Sequence, residues 1–201
     1  MKKRTLHFVR HGATDASEAS VYTGRSDVPL TAHGREQALA LRPYLHRVQD
    51  ALILSSPRKR SLVTAELALP ERARNIEIVD RLSEIDFGDW EGLTFSEVAA
   101  EFPEAVERWM REPDGFRFPG GESVMEFRIR IAGIIDDLVT GSARCVLIFT
   151  HGGVIRTALC RLLELPDRAY LSFAVPTGSV TTIDLHGESG VLRGISPVPF
   201  D

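Results

Sequence analysis

The sequence predicts an α/β fold in three layers, a mostly parallel mixed sheet flanked by helices on both faces. Three observations carry that expectation. Short apolar runs alternate with helical patterns along the chain. The early runs lack polar alternation, as strands buried on both faces do. Several of them stop abruptly on polar residues and glycine, as strands do where they reach a ligand-binding edge. The 201 residues, 43% hydrophobic and 26% charged, are an ordinary globular composition, and a single domain over residues 1–201 is expected.

The first strand is Thr5–Val9; the basic residues before it resemble the flank of a signal peptide, but the apolar stretch is too short for one. Ala32–Val48 places Ala38, Leu41, Leu45 and Val48 on one helical face, with Thr31 as N-cap. Ala51–Leu54 reads as a second buried strand, and Ser56 with Pro57 as N-cap and first residue of a helix through Leu67. A third buried strand is Ile76–Val79. Thr94 with Glu97, and Ser123 with Glu126, fit the capping box, the second helix running to about Val139. Between them, Phe102–Gly121 holds three prolines and a glycine pair, which predicts a partly irregular, lid-like excursion. Cys145–Phe149 is a fourth strand that leads directly into a helix over His151–Leu163. Val180–Leu185 and Val191–Ile195, joined by a tight turn at "HGESG", form a closing antiparallel pair.

The formal net charge is -4 and the charges are dispersed, which argues against a nucleic-acid or membrane partner; any anion site has to be local. No stretch approaches the roughly 18 uninterrupted apolar residues of a membrane span. Cys145 and Cys160 match no metal or redox spacing and read as reduced core residues of a cytoplasmic protein. Nothing in the sequence specifies an oligomeric state.

Parallel strands deliver the residues that follow them to one edge of the sheet. Arg10 and His11 follow the first strand, Ser55, Ser56 and Arg60 the second, Glu84 the third at a short distance, and His151 the fourth. Two arginines, two histidines and a carboxylate form a site for an oxyanion, with a nucleophile and a proton donor at hand, and a phosphoryl group suits it. Gly12, Gly152 and Gly153 let backbone approach such a ligand. Singly these residues have plain structural readings: Arg60 lies in a basic run with Arg58 and Lys59, Glu84 resembles a surface carboxylate, and Gly88 with Trp90 a turn and a core aromatic. His7, His33, His46 and His186 show no partner pattern.

The motifs "RHGATD", "SSPRKRSLVTAE", "LSEIDFGDWEG", "PGGES" and "THGGVIR" resemble, in order and approximate spacing, those of the histidine phosphatase superfamily, from His7 to about Ile183. The resemblance implies a phosphoglycerate-mutase-like fold, His11 as the nucleophile that becomes phosphohistidine, Arg10, Arg60 and His151 around the phosphate, and Glu84 as proton donor. It further implies Ser17, Thr23, Gly24 and Gly152 as substrate-binding residues. Many relatives carry Glu in place of Ala13 and Asn in place of Ser17, whose hydroxyl has a shorter reach. The expected reaction is metal-independent hydrolysis of a small-molecule phosphate monoester, with a neutral His11, a protonated His151 and no cofactor, the arginines supplying the charge neutralisation.

Within the superfamily, "VYTGRSDVPLT", "EIDFGDWEGLTFSEV" and "FPGGES" look most like α-ribazole 5'-phosphate phosphatases of cobalamin biosynthesis. Broad-specificity phosphatases and phosphoglycerate mutases are alternatives. Trp109, Phe116 and Phe118 either stack on a nucleoside base or anchor the excursion, and Arg108, Arg111 and Arg117 are candidates for a substrate carboxylate. The tail "SPVPFD" offers no cation to a second phosphate, which favours hydrolysis over mutase chemistry. Two readings of other classes stay open: a catalytically silent phosphate-binding regulatory protein, and a metallohydrolase using His11, His151 and Asp86 or Glu84.

Overall fold

The apolar runs become the strands of one sheet in the computed structural model, which describes residues 4–187 and 189–196. In chain order the elements are β1 (Arg4–Arg10), α1 (Asp15–Glu18), α2 (Ala32–Ala40), α3 (Arg42–Arg47), β2 (Leu52–Ser55), α4 (Lys59–Ala68) and β3 (Ile76–Ile78). They continue with α5 (Phe95–Glu101), α6 (Pro103–Arg111), α7 (Val124–Thr140), β4 (Cys145–Thr150), α8 (Gly152–Leu162), β5 (Val180–His186) and β6 (Ser189–Ser196). The sheet order is β3-β2-β4-β1-β5-β6. The first four are parallel, and β5 and β6 extend them antiparallel. The expected turn at "HGESG" includes Glu188, and most of the tail falls at residues 197–201; both lie outside the described residues.

Alternate residues of the central strands feed two cores, the signature of a sheet covered on both faces. Leu6, Phe8, Val146 and Ile148 pack with Phe127, Ile131 and Ile135 of α7 and Ile155 and Leu159 of α8. Val9, Ile53, Leu147 and Phe149 pack with Leu41, Leu45, Ala65 and Ala68 on the other face. Both capping boxes form as expected, with Thr94–Glu97 opening α5 and Ser123–Glu126 opening α7. Thr31 caps α2 by accepting the Gly34 N–H at 3.0 Å.

Three sequence expectations need correction. The helix expected over Ala32–Val48 is broken at Leu41, because Pro43 cannot donate to the carbonyl four residues back and its ring crowds that turn. Ala38, Leu41 and Leu45 still share the buried face. Ser56 and Pro57 do not start α4; its N-cap is Arg58. The third strand is not buried but an exposed edge, with Ile78 at 59% exposure, as its place at the end of the sheet requires.

The aromatic residues of the 102–121 excursion have one of their two expected fates. Phe116 and Phe118 are buried against Trp90, with ring centroids 5.5 and 5.1 Å away, and Trp109 meets the same indole edge-on at 5.7 Å. Phe116 and Phe118 anchor the excursion to the core and leave no free face for a base, and the partly buried Trp109 packs on the same indole. Arg108 lies over the Phe116 ring, and Arg117 is spent on Glu126 and on the Gly121 carbonyl.

On the opposite side of β1, His7 does have partners. Its Nδ1 lies 2.9 Å from the Tyr44 hydroxyl and 3.2 Å from that of Thr182. Burial pushes its pKa down to about 4, against the pull of Asp184. Between pH 6.5 and 4 the unfolded chain therefore binds the proton that the folded chain refuses, and stability falls as pH falls through that window. Urea denaturation at pH 7 and pH 4.5 should show a loss of which His7 contributes up to about 3 kcal/mol, and His7→Gln should reduce that pH dependence; an unchanged pH slope would contradict the assignment.

Candidate active site

The sheet edge expected to collect functional residues does collect them. In the parallel β1–β4 pair, Arg10 stands opposite Thr150, so His11 and His151 leave adjacent strands at the same level. Their ring centroids are 5.3 Å apart. The His11 N–H donates to the Thr150 carbonyl at 3.0 Å, which ties the two strand ends together beyond the ladder. A Cβ on Gly12 would stand 2.2 Å from the Gly34 carbonyl oxygen. Only glycine lets this loop lie against the start of α2.

Each of the five principal residues predicted from sequence lies at this edge. His11, His151, Arg60 and Glu84 are buried, and Arg10 half-buried. The Arg10 Nη1 donates to the Val175 carbonyl at 2.5 Å, while its Nε is buried with no hydrogen-bond partner among the described residues. Arg60 donates to the carbonyls of Ser26 and Gly24, both at 2.8 Å, and to that of Thr23 at 3.2 Å. Thr23 and Gly24 thus orient Arg60 through their backbones. Glu84 accepts from the backbone N–H of Gly153 at 2.8 Å and of Ile85 at 3.1 Å, so the first turn of α8 holds the carboxylate. Gly152 lies beside the Arg10 guanidinium, 3.4 Å from where a Cβ would stand. Ser17 is engaged elsewhere: its hydroxyl donates to the Thr14 carbonyl at 2.9 Å and completes the capping box of α1.

The two imidazoles are held differently. The Nδ1 of His11 faces the Gly12 carbonyl at 2.8 Å. The Nε2 of His151 lies 2.8 Å from the Ser56 hydroxyl, and its Nδ1 is buried without a partner among the described residues. Burial, reinforced by the Arg60 and Arg10 cations, holds His11 well below its ordinary pKa, against the Gly12 hydrogen bond. Burial first, then Arg60, His11, Arg10 and Arg58, does the same to His151. A ring sealed from water among arginines favours the neutral form with no ligand bound, whereas the protonated His151 expected from sequence concerns the site with a dianionic ester in it.

Sequence reasoning passed over Arg156 and Tyr170. Arg156 donates to the Phe173 carbonyl at 2.9 Å and lies over the Tyr170 ring, and both residues bear electrostatically on Arg10. Burial, and then the charge of Glu84, push the Tyr170 phenol up to about 12. The i, i+4 relation of Gly152 and Arg156 on one helical face was the available signal for Arg156; Tyr170 sits in a short 3₁₀ segment, Asp167–Ser172, that carries no periodic signal. Among the described residues no group of three or more His, Cys, Asp or Glu is placed to hold a metal ion, so His11, His151 and a carboxylate do not assemble as the metallohydrolase reading requires.

Known proteins resemble this chain over most of its length. The family model of the histidine phosphatase superfamily (branch 1) matches residues 6–196. An adenosylcobalamin/α-ribazole phosphatase of Escherichia coli is 32% identical over 94% of this chain and 93% of its own. A glucosyl-3-phosphoglycerate phosphatase of Mycolicibacterium vanbaalenii is 38% identical over 83% of this chain and 77% of its own. The crystal structure of the α-ribazole phosphatase from Shigella flexneri superposes with a TM-score of 0.89 at 31% identity, covering 96% of this chain and 97% of that one.

The Glu84–Gly153 contact sets a steric prediction. A Cβ at residue 153 would stand 2.2 Å from the Glu84 Oε1, the movable end of a flexible side chain, so Gly153→Ala should displace the carboxylate from the start of α8 rather than strain the fold. A crystal structure of the variant checks it; a Glu84 carboxylate still at the residue 153 N–H would contradict it.

Proposed function

The chain belongs to the histidine phosphatase superfamily (branch 1), and on that premise we propose that it hydrolyses phosphate monoesters through a phosphohistidine on His11. The observation that carries the proposal is the hydrogen bond from His11 to Gly12. A carbonyl only accepts, so the Nδ1 facing it at 2.8 Å bears the proton of the neutral ring. Nε2 is left with its lone pair, and the depressed pKa keeps that lone pair free at neutral pH.

In this reading the unpartnered Arg10 Nε and the His151 ring, with the positive field of Arg60, receive the non-bridging phosphate oxygens. The amino-terminal end of α8 adds to that field. The Nε2–P bond forms in line as the bond from phosphorus to the leaving oxygen breaks, and Glu84 gives that oxygen its proton. Water then attacks phosphorus, Glu84 takes the proton of the water, and the Nε2–P bond breaks to release phosphate. Burial of both imidazoles and of Glu84 strengthens each of these interactions by keeping bulk water away.

The substrate we assign is α-ribazole 5'-phosphate, supported by the likeness to α-ribazole phosphatases over nearly the whole chain. Relatives named for phosphoserine and glucosyl-3-phosphoglycerate supply the competitors that a substrate panel has to include. The two cysteines are free, in keeping with the cytoplasm as the place of the reaction.

Two outcomes follow. A reaction quenched in alkali should contain phosphoenzyme that acid destroys, His11→Ala should abolish it, and EDTA should leave turnover intact; an alkali-labile label, or turnover that needs added metal, would contradict the mechanism. Glu84→Gln should lower the phosphorylation rate by roughly 10²–10⁴-fold for alkyl esters and much less for p-nitrophenyl phosphate, whose leaving group needs no proton. Equal losses in rapid-quench phosphorylation would remove Glu84 from the proton-donor role.

A further inference from the structure

Ser56 is fully buried and, having no part in capping α4, is left with a different task. Its Oγ lies 3.3 Å from the backbone N–H of Arg58, which can only donate to it, and 2.8 Å from the His151 Nε2. No carbonyl or carboxylate accepts from this hydroxyl among the described residues. The second serine near the ring, Ser61, is at 3.4 Å from both the Thr150 carbonyl and the same Nε2, a weaker contact with an acceptor of its own.

A neutral imidazole has one N–H, and the surroundings decide which nitrogen carries it. If Nε2 bore the proton, the Ser56 oxygen would face two donors, the Arg58 N–H and Nε2–H. Its own hydroxyl proton would then be buried without an acceptor, and the bare Nδ1 lone pair would be buried unpartnered as well. If Nδ1 bears it, the hydroxyl donates to Nε2 while its oxygen accepts from Arg58. Every group around Ser56 is then satisfied, and one N–H remains over.

We infer that Ser56 is a positioning residue that fixes His151 as the Nδ1–H tautomer, making Nδ1 the atom that donates to a phosphate oxygen. The last step rests on the phosphatase reading; the tautomer itself does not. Both site histidines then carry the proton on Nδ1 yet offer opposite faces to the ligand. His11, with Nδ1–H turned to the Gly12 carbonyl, offers a lone pair. His151, with Nε2 turned to Ser56, offers a proton, and so binds an oxyanion without becoming charged.

The test is long-range ¹H–¹⁵N correlation of the imidazole nitrogens in uniformly ¹⁵N-labelled protein at pH 7.5, with His151→Gln and His11→Gln for assignment. Wild-type His151 should show a protonated Nδ1 and an unprotonated Nε2. Ser56→Ala should shift that ring toward the Nε2–H form and Ser56→Thr should restore it, while Ser61→Ala should leave it unchanged. In the same series kcat/KM for p-nitrophenyl phosphate should fall by about 10- to 100-fold in Ser56→Ala, the range of one charge-assisted hydrogen bond, and recover in Ser56→Thr. A wild-type His151 protonated on Nε2 overturns the inference without recourse to any variant, as does a Ser56→Ala protein that keeps the Nδ1–H form. The expected tautomer in a protein that releases no phosphate from any ester would count against the phosphatase reading alone.

Discussion

The parallel pairing of β1 with β4 is the constraint on which the site depends. Parallel strands end at the same edge, and the register that sets Arg10 opposite Thr150 brings two histidines far apart in sequence within 5.3 Å of each other. A slip of one residue would turn one imidazole to the other side of the sheet. That register is held by the apolar alternation on both faces, with Phe8 and Ile148 packed into one core and Val9, Leu147 and Phe149 into the other. The packing that stabilises the sheet also aligns the chemistry.

Around that seam, backbone groups orient much of the chemistry. The Gly12 carbonyl turns His11, the Val175 carbonyl turns Arg10, the carbonyls of residues 23, 24 and 26 turn Arg60, and the Gly153 N–H holds Glu84. Backbone partners of this kind are fixed by the fold itself and leave the side chains little freedom to reorganise as charge develops. Gly12 and Gly153 are glycine because the backbone of Gly34 and the carboxylate of Glu84 occupy the space of a Cβ. His151 is the exception, oriented by a serine side chain, and for that reason its tautomer is open to change by a single substitution.

Much of this was legible in the sequence, and the reasons are specific. Strands buried on both faces read as bare apolar runs, the capping boxes at Thr94 and Ser123 are local patterns, and polar residues following strands advertise the edge of a parallel sheet. What escaped notice depends on tertiary contact. Ser56 looked like a helix cap because Ser-Pro often is one; only the approach of β4 reveals the imidazole beside it. Phe116 and Phe118 carried no mark to separate stacking residues from anchors until the burial of Trp90 among them decided it. The burial that favours a neutral His151 without ligand was not legible either, because composition reports neighbouring charges but not the loss of water. Arg156 stands one helical turn after Gly152 on α8, a spacing that marks a shared face but not the arginine it meets, and Tyr170 sits in a short 3₁₀ segment where no periodicity speaks.

The central claim is that the Nε2 of His11 attacks phosphorus while Arg10 and His151 hold the oxygens. A crystal structure with vanadate, which adopts the five-coordinate geometry of the transition state, tests it most directly. The account predicts vanadium bonded to the His11 Nε2, equatorial oxygens hydrogen-bonded to the Arg10 Nε and the His151 Nδ1, and Glu84 beside the apical oxygen opposite Nε2. Vanadate bonded to a different side chain, or held at the site with the His11 Nε2 out of bonding distance, would contradict it.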